Sequence, residues 1–144
     1  MFDNENMSVS FEKRKDADGS VWVKAVAHAA LTAKTPYRII VNENGYVTAA
    51  LANVTAQYYV GVPAENVSSG AEGWLQIGGL VEDMITPSLS VSVGHALKIS
   101  AGAVADAGAD FAGAAGEFAV CTEASSSSTT QSCILVPEMI QGTT

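Results

Sequence analysis

Residues 56–79 constrain the fold most strongly, because two short alternating segments flank a loop rich in turn-forming residues. The segments are residues 57–62 and 73–79, and each places its aliphatic or aromatic side chains at every second position. The side chains expected on the buried face are Tyr58, Val60, Val62, Leu75 and Ile77. Cross-strand pairs of this kind stabilise antiparallel ribbons. The pattern therefore predicts a β-hairpin with one buried face.

Residues 37–79 contain a pattern of four predicted strands, and the same pattern is predicted to recur in residues 97–137. The alignment pairs Ile39 with Ile99, Tyr58 with Phe118 and Val60 with Val120. Both members of the last two pairs are expected to be buried. Strands rich in Gly and Ala can be aligned by composition alone, so a shared strand order is what distinguishes an internal pseudo-repeat from chance.

The rest of the chain favours strands over helices. Turn signals at short spacing, of which residues 42–45 (NENG) are the strongest, predict about eight or nine strands with at most one or two short helices. Residues 80–93 contain Pro87 and several serines, which favours a connection between the two halves. The fold class predicted is mostly β, a compact barrel or sandwich.

Composition indicates one folded domain that associates with other subunits. The chain has 144 residues, of which 48% are hydrophobic and only 15% charged. Aromatic residues make up only 7%, and much of the apolar content is alanine, so the core is expected to be thin. Small domains of this kind often bury further surface in an oligomer.

Charge argues against nucleic acid as a partner. The net charge is −8, and the one basic run, residues 13–15 (KRK), is flanked by acidic residues. Nucleic-acid binding requires a basic face, which the sequence lacks. No secretory leader and no apolar stretch of membrane-spanning length is visible, so we expect synthesis in a cytoplasm and no membrane contact.

The first twenty residues differ in character from the remainder of the chain. Residues 1–20 are polar with isolated apolar side chains, and they lack a sustained periodicity. We therefore expect an extended N-terminal arm over residues 1–20 and a single β domain over residues 21–144. The candidate interface residues are Phe2, Met7, Phe11 and Trp22.

The sequence contains no recognisable catalytic, metal-binding or cofactor-binding pattern. His28 and His95 have no cysteine or carboxylate at ligand spacing, and no phosphate-binding glycine motif occurs. Cys121 and Cys133 lie near the two ends of the last predicted hairpin, where a disulfide is conceivable. A reducing compartment favours free buried thiols instead. We expect no enzymatic activity and no cofactor.

Five sequence segments together resemble the head decoration, or capsid cement, proteins of tailed phages. They are TPYRII (35–40), YYVGVP (58–63), GAEGWLQIGGLV (70–81), GHALKI (94–99) and GEFAVCTEA (116–124). The likeness spans residues 21–137 and consists of strands and glycines in a repeated order. It implies a compact β domain, often trimeric, that binds the major capsid protein on the outside of the head. The charged N-terminal arm and the serine-rich loop, residues 125–130, depart from the family pattern.

The isolated apolar side chains of the arm predict a role for it in attachment. Phe2, Met7 and Phe11 are expected to enter grooves of another subunit or of the shell, so that the arm becomes ordered on the capsid. An alternative function is a β-sandwich ligand-binding module, either a carbohydrate-binding module or an adhesin, on a virion or cell surface. In that alternative Trp22, Trp74 and the pair Tyr58–Tyr59 form an aromatic platform.

Overall fold

The computed structural model describes residues 11–52 and 57–140, which form ten β-strands and contain no helix. The strands are β1 (Lys13–Lys15), β2 (Val21–Val26), β3 (Tyr37–Asn42), β4 (Gly45–Ala49), β5 (Tyr59–Pro63), β6 (Glu72–Leu89), β7 (His95–Ser100), β8 (Ala103–Asp110), β9 (Glu117–Cys121) and β10 (Ser128–Leu135). The predicted mostly-β fold is confirmed. Within the described ranges there is no helix long and apolar enough to cross a bilayer.

Five strands close into a barrel in the order β2, β4, β3, β5 and β6. Closure occurs because β2 pairs in parallel with β4 and antiparallel with β6. The barrel interior, which we call the first core, contains Val23, Ala25, Ala27, Leu31, Ile39, Leu75 and Ile77. Three of these seven side chains are alanine or valine.

A second sheet continues from the barrel through β6, in the order β6, β10, β9, β7 and β8. Its buried side chains form the second core, which also includes Val60 and Val62 of β5. Tyr59 of the same strand packs against the first core. The predicted alternation in β5 is therefore correct, but the expectation of one buried face is wrong, because β5 separates two cores and is covered on both sides.

Strand β6 is much longer than predicted and joins the two parts of the fold. It runs for 18 residues, so most of the segment expected to be a connection, residues 80–93, is strand. Gly79 (φ +90°) and Asp83 (φ +55°) have left-handed backbone conformations within it. Such residues bend a strand and increase its twist. They allow β6 to leave the barrel and pair with β10.

The two halves have the same strand order. In the first half the pairs are β4–β3, β3–β5 and β5–β6, and in the second they are β8–β7, β7–β9 and β9–β10. Ile39 lies opposite Tyr59, and Leu97 lies opposite Ala119. Ile39 therefore corresponds to Leu97, and the predicted pairing with Ile99 is wrong. The two hairpins give the same correspondence, because Ile39 lies opposite Thr48 and Leu97 lies opposite Asp106.

Burial agrees with the predicted pseudo-repeat at one pair and not at the other. Tyr58 and Phe118 are both buried, as expected. Val60 is buried in the second core, whereas Val120 is only half-buried. Val120 lies opposite Ile134 on the outer face of the second sheet. The second half therefore covers Val60 of the first half, whereas Val120 keeps part of its surface exposed.

The N-terminal boundary of the β domain lies earlier than predicted. Strand β1 pairs antiparallel with β2, so residues 13–15 belong to the sheet and residues 16–20 form the turn between the two strands. The turn between them is fixed by Asp18, whose carboxylate accepts hydrogen bonds from the backbone N–H and the hydroxyl of Ser20. These bonds lower the pKa of Asp18. Phe2 and Met7 lie outside the described residues.

Candidate functional site

The histidine side chains of the described residues take part in small hydrogen-bonded pairs. Among residues 11–52 and 57–140, no three His, Cys, Asp or Glu side chains come together as a metal site. His28 Nδ1 lies 2.7 Å from Thr48 Oγ1. His95 Nδ1 lies 3.3 Å from Asp106 Oδ1, a contact between β7 and β8 that sequence spacing did not indicate. Three surfaces of the fold are larger and are the candidates for binding another molecule.

The first surface is a cleft on the outer face of the barrel, which we call the Trp cleft. Its walls are Arg14, Trp22, Trp74 and Glu72 from the strands, and Glu65, Asn66, Val67 and Ser68 from the β5–β6 loop. Its volume is about 490 Å³. Trp22 lies opposite Gln76, and Trp74 lies opposite Lys24, so the two indoles are diagonal neighbours on adjacent strands.

Arg14 links the edge strand to both indoles. Its guanidinium carbon lies 4.7 Å from the ring centre of Trp74 and 5.1 Å from that of Trp22. Both distances are within the range of cation–π attraction. The same guanidinium binds the carboxylate of Asp16 through Nε at 2.9 Å. Trp22 is held in turn by Ser20, whose hydroxyl accepts a hydrogen bond from the indole N–H at 2.9 Å.

The β5–β6 loop is fastened to the barrel, which fixes the other wall of the cleft. Leu31 and Val67 exchange two backbone hydrogen bonds, and the side chain of Asn66 accepts one from the backbone N–H of Ala33 at 2.8 Å. The Val67 side chain occupies the space where Gly73 has no Cβ. A larger residue at position 73 would push this wall away from the strands.

The second surface is the mouth of the barrel, where Phe11 lies. The Phe11 and Tyr46 rings meet edge-to-face at a centroid distance of 5.5 Å, and Tyr46 contacts Tyr59 in the same way at 6.3 Å. The Lys13 ammonium lies 5.5 Å from the centre of the Tyr59 ring. Burial raises the pKa of Tyr46. Phe11, a predicted interface residue, remains 47% exposed, so about half of its surface is already buried within its own chain.

The third surface is a row of apolar side chains across the second sheet, which we call the apolar stripe. It consists of Leu80, Ile134 and Val120, which are successive cross-strand partners on β6, β10 and β9. Leu80 is 54% exposed and Ile134 47% exposed. Sequence reasoning missed this surface, because the residues after Leu80 are typical of a connection and its pairing with Ile134 is a long-range contact.

The two cysteines are directly opposite each other on β9 and β10. Both thiols are free and buried. Burial, together with the neighbouring Cys121, raises the pKa of Cys133 to about 12. A thiol with such a pKa is neutral and unreactive at neutral pH. The pair is therefore part of the second core.

The aromatic platform proposed as an alternative from the sequence forms only in part. Trp22 and Trp74 do come together, in the Trp cleft. Tyr58 is buried, and its hydroxyl donates a hydrogen bond to the Ala52 carbonyl at 2.7 Å, while Tyr59 lies in the barrel mouth. The two tyrosines point to opposite sides of β5. Glu65 and Asn66, which sequence reasoning did not select, join the tryptophans instead.

Comparison with known proteins identifies a similar fold. No protein-family model matches the chain, and no curated protein sequence matches it. Among solved structures, the chain is similar to the N base of the head fiber protein gp8.5 of bacteriophage phi29. The TM-score is 0.53 at 14% identity, over 85% of this chain and 98% of that chain. At this identity the likeness establishes a shared fold.

Proposed function

We propose that this protein is a decoration protein that binds the outer surface of a phage head and stabilises the shell. The observation that carries the proposal is the fold shared with a head fiber base, almost all of which is covered by the alignment. The strand-and-glycine pattern that resembles capsid cement proteins supports it independently of that comparison. The role would require binding surfaces and no catalysis.

The charge distribution supports a position outside the shell. The chain carries a net charge of −8, which disfavours contact with packaged DNA and keeps a densely displayed protein soluble. The proposed site of action is the outer capsid surface of the virion, after synthesis in the host cytoplasm. The proposed partner there is the major capsid protein.

We assign the apolar stripe to contacts between copies of this chain, in a closed oligomer that we propose to be a trimer. The stripe is continuous over three strands and is about half exposed at Leu80 and Ile134. Contiguous apolar surface of this kind commonly marks a protein contact. The equivalent face of the first half is covered within the chain, where Val60 is buried. A neighbouring subunit would cover the second.

The proposal is tested by adding the purified full chain to undecorated heads, assembled from the major capsid protein encoded in the same genome. We expect saturable co-sedimentation with the heads and a higher temperature of head disruption when the protein is bound. Heads already saturated with the protein serve as the control for non-specific pelleting. Absence of binding at micromolar concentration would overturn the proposal.

A further inference from the structure

The Trp cleft has features that attachment to a shell does not explain. It combines two half-buried indoles with two carboxylates and an amide in a recess of about 490 Å³. Small-molecule sites occupy roughly 300–1,000 Å³ and combine apolar faces with a few placed polar groups. We propose that the Trp cleft binds a neutral saccharide, one to a few sugar units long, independently of head decoration.

The side chains of the cleft match the chemistry of a sugar ring. The C–H groups on one face of a pyranose pack against the flat apolar surface of an indole, which Trp22 and Trp74 supply. The hydroxyl groups around the ring need planar acceptors and donors at its edge. The carboxylates of Glu65 and Glu72 accept such bonds, and Asn66 keeps its N–H₂ donors because its oxygen is bound to Ala33.

An anionic ligand is disfavoured by the charges that line the cleft. Arg14 is the only cation among the lining residues, whereas Glu65 and Glu72 are both acidic. The Arg14 guanidinium is also bound to Asp16, with Nε 2.9 Å and Nη2 3.4 Å from the two carboxylate oxygens. A sulfated or phosphorylated ligand would therefore meet net negative charge.

A cationic ligand is disfavoured by Arg14 itself. Paired tryptophans with nearby carboxylates often hold an ammonium group. Here the guanidinium of Arg14 already lies 4.7 Å and 5.1 Å from the two ring centres, so an ammonium group in the cleft would meet a fixed positive charge beside both rings. A neutral, hydroxyl-rich ligand avoids both conflicts, because it can contact the two indole rings and meets no unfavourable charge from Arg14 or from the carboxylates of Glu65 and Glu72.

Intrinsic fluorescence tests this proposal directly, because Trp22 and Trp74 are the only tryptophans of the chain and both line the cleft. Maltotetraose, cellotetraose and chitotetraose are titrated separately into the full-length protein. At least one should produce a saturable change in emission, whereas a heparin tetrasaccharide should produce none. No saturable change with any neutral probe would overturn the proposal, and so would preferential binding of the heparin fragment.

Variants locate the binding at the cleft. Glu65→Gln and Glu72→Gln remove charged acceptors on exposed side chains, and each should weaken saccharide binding about tenfold without unfolding the protein. Glu43→Gln, in the β3–β4 turn, is the matched control and should bind as the wild type does. Equal affinity of all three variants would overturn the assignment. Co-sedimentation with heads should be unchanged in Glu72→Gln, and its loss would identify the cleft as a shell contact instead.

Discussion

Ile134 of β10 lies directly opposite Leu80 of β6, and each side chain keeps about half of its surface exposed. On its other side Ile134 faces Val120 of β9. Strands in a sheet are about 4.8 Å apart, so the three side chains form one continuous apolar surface. The position in the first half that corresponds to Val120 is Val60, which the second core buries.

Replacing both exposed members of the apolar stripe should break the proposed oligomer. Burying a Leu or Ile side chain contributes about 1.5–3 kcal/mol, so Leu80→Ser with Ile134→Ser should remove several kcal/mol from each contact. Sedimentation velocity at micromolar concentration should show a trimer for the wild type and a monomer for the double variant. Val93→Ser, at a side chain 62% exposed outside the stripe, is the control. A monomeric wild type would contradict the assignment.

Substituting alanine at two glycines of the second half should distinguish the cost of backbone strain from the cost of a steric clash. Gly113 (φ +74°) and Gly116 (φ +83°) both have left-handed conformations, in which any other L-residue is strained by about 1–2 kcal/mol. A Cβ at Gly116 would lie 2.8 Å from the Ile99 carbonyl oxygen, whereas one at Gly113 would have open space. In urea unfolding, Gly113→Ala should lose about 1 kcal/mol and Gly116→Ala roughly 2–4 kcal/mol. Equal losses would contradict this packing.

The buried thiol of Cys133 should make stability fall at alkaline pH. Because folding raises its pKa from 9.0 to about 12, the folded state favours the neutral thiol. Its contribution is complete below pH 9 and is lost as pH rises towards 12, with a slope of up to about 1.4 kcal/mol per pH unit. Urea unfolding between pH 8 and about pH 11 should therefore show a shallower decline for Cys133→Ala than for the wild type.

Tyr46 and Tyr58 provide the internal reference for this comparison. Burial raises the pKa of both phenols, so they also destabilise the fold at high pH. They do so equally in the wild type and in Cys133→Ala, and their contribution cancels in the difference. Parallel declines in the two proteins would assign the alkaline loss to the tyrosines and not to Cys133.

Local features are the most predictable part of the fold. The turn between β3 and β4 follows from its own residues, because Asn42 accepts a hydrogen bond from the backbone N–H of Asn44 and Gly45 has φ +132°. The alternation along β5 is equally readable from Tyr58 onwards. The spacing of strands and glycines also predicts that the two halves share one strand order, which they do.

The length of β6 and the composition of the Trp cleft depend on long-range strand pairing, which local sequence patterns do not indicate. Pro87 and the serines of residues 80–93 suggest a connection, but β6 continues because Ile85 and Leu89 pair with Thr130 and Ser128 of β10. The Trp cleft has the same origin. Glu65 and Asn66 are distant from Trp22 along the chain, and barrel closure together with the fastened loop brings them together.

Strand β1 shows how tertiary contacts can override a polar sequence. Lys13–Lys15 has no apolar alternation, yet it pairs with Val21, Trp22 and Val23. The strand is retained because Arg14 stacks on two indoles and Lys13 reaches Tyr59. Such contacts exist only after β2 and β6 are paired, so no local pattern could indicate them.

Because β1 pairs with β2 of the barrel, two truncations distinguish attachment from folding. A chain that begins at Phe11 keeps β1, whereas one that begins at Gly19 loses β1 together with Arg14. We expect the first truncation to match the full chain in urea unfolding. The second should be less stable, because Trp22 and Trp74 lose their stacked guanidinium and β2 loses the strand paired with it.

Head binding should separate the first truncation from the full chain. Burial of Phe2 and Met7 in a shell groove would contribute roughly 1.5–3 kcal/mol each, against about 1–2 kcal/mol for each backbone residue fixed on binding. Attachment by residues 1–10 thus also needs backbone pairing or charge contacts with the shell. We expect the chain beginning at Phe11 to co-sediment with undecorated heads at least about tenfold more weakly.

Full-length protein carrying Phe2→Ser and Met7→Ser should show a similar loss, since it removes the same apolar contacts without shortening the chain. If both variants bind heads as tightly as the wild type, attachment occurs through the barrel or the second sheet, and Phe2 and Met7 have no part in it.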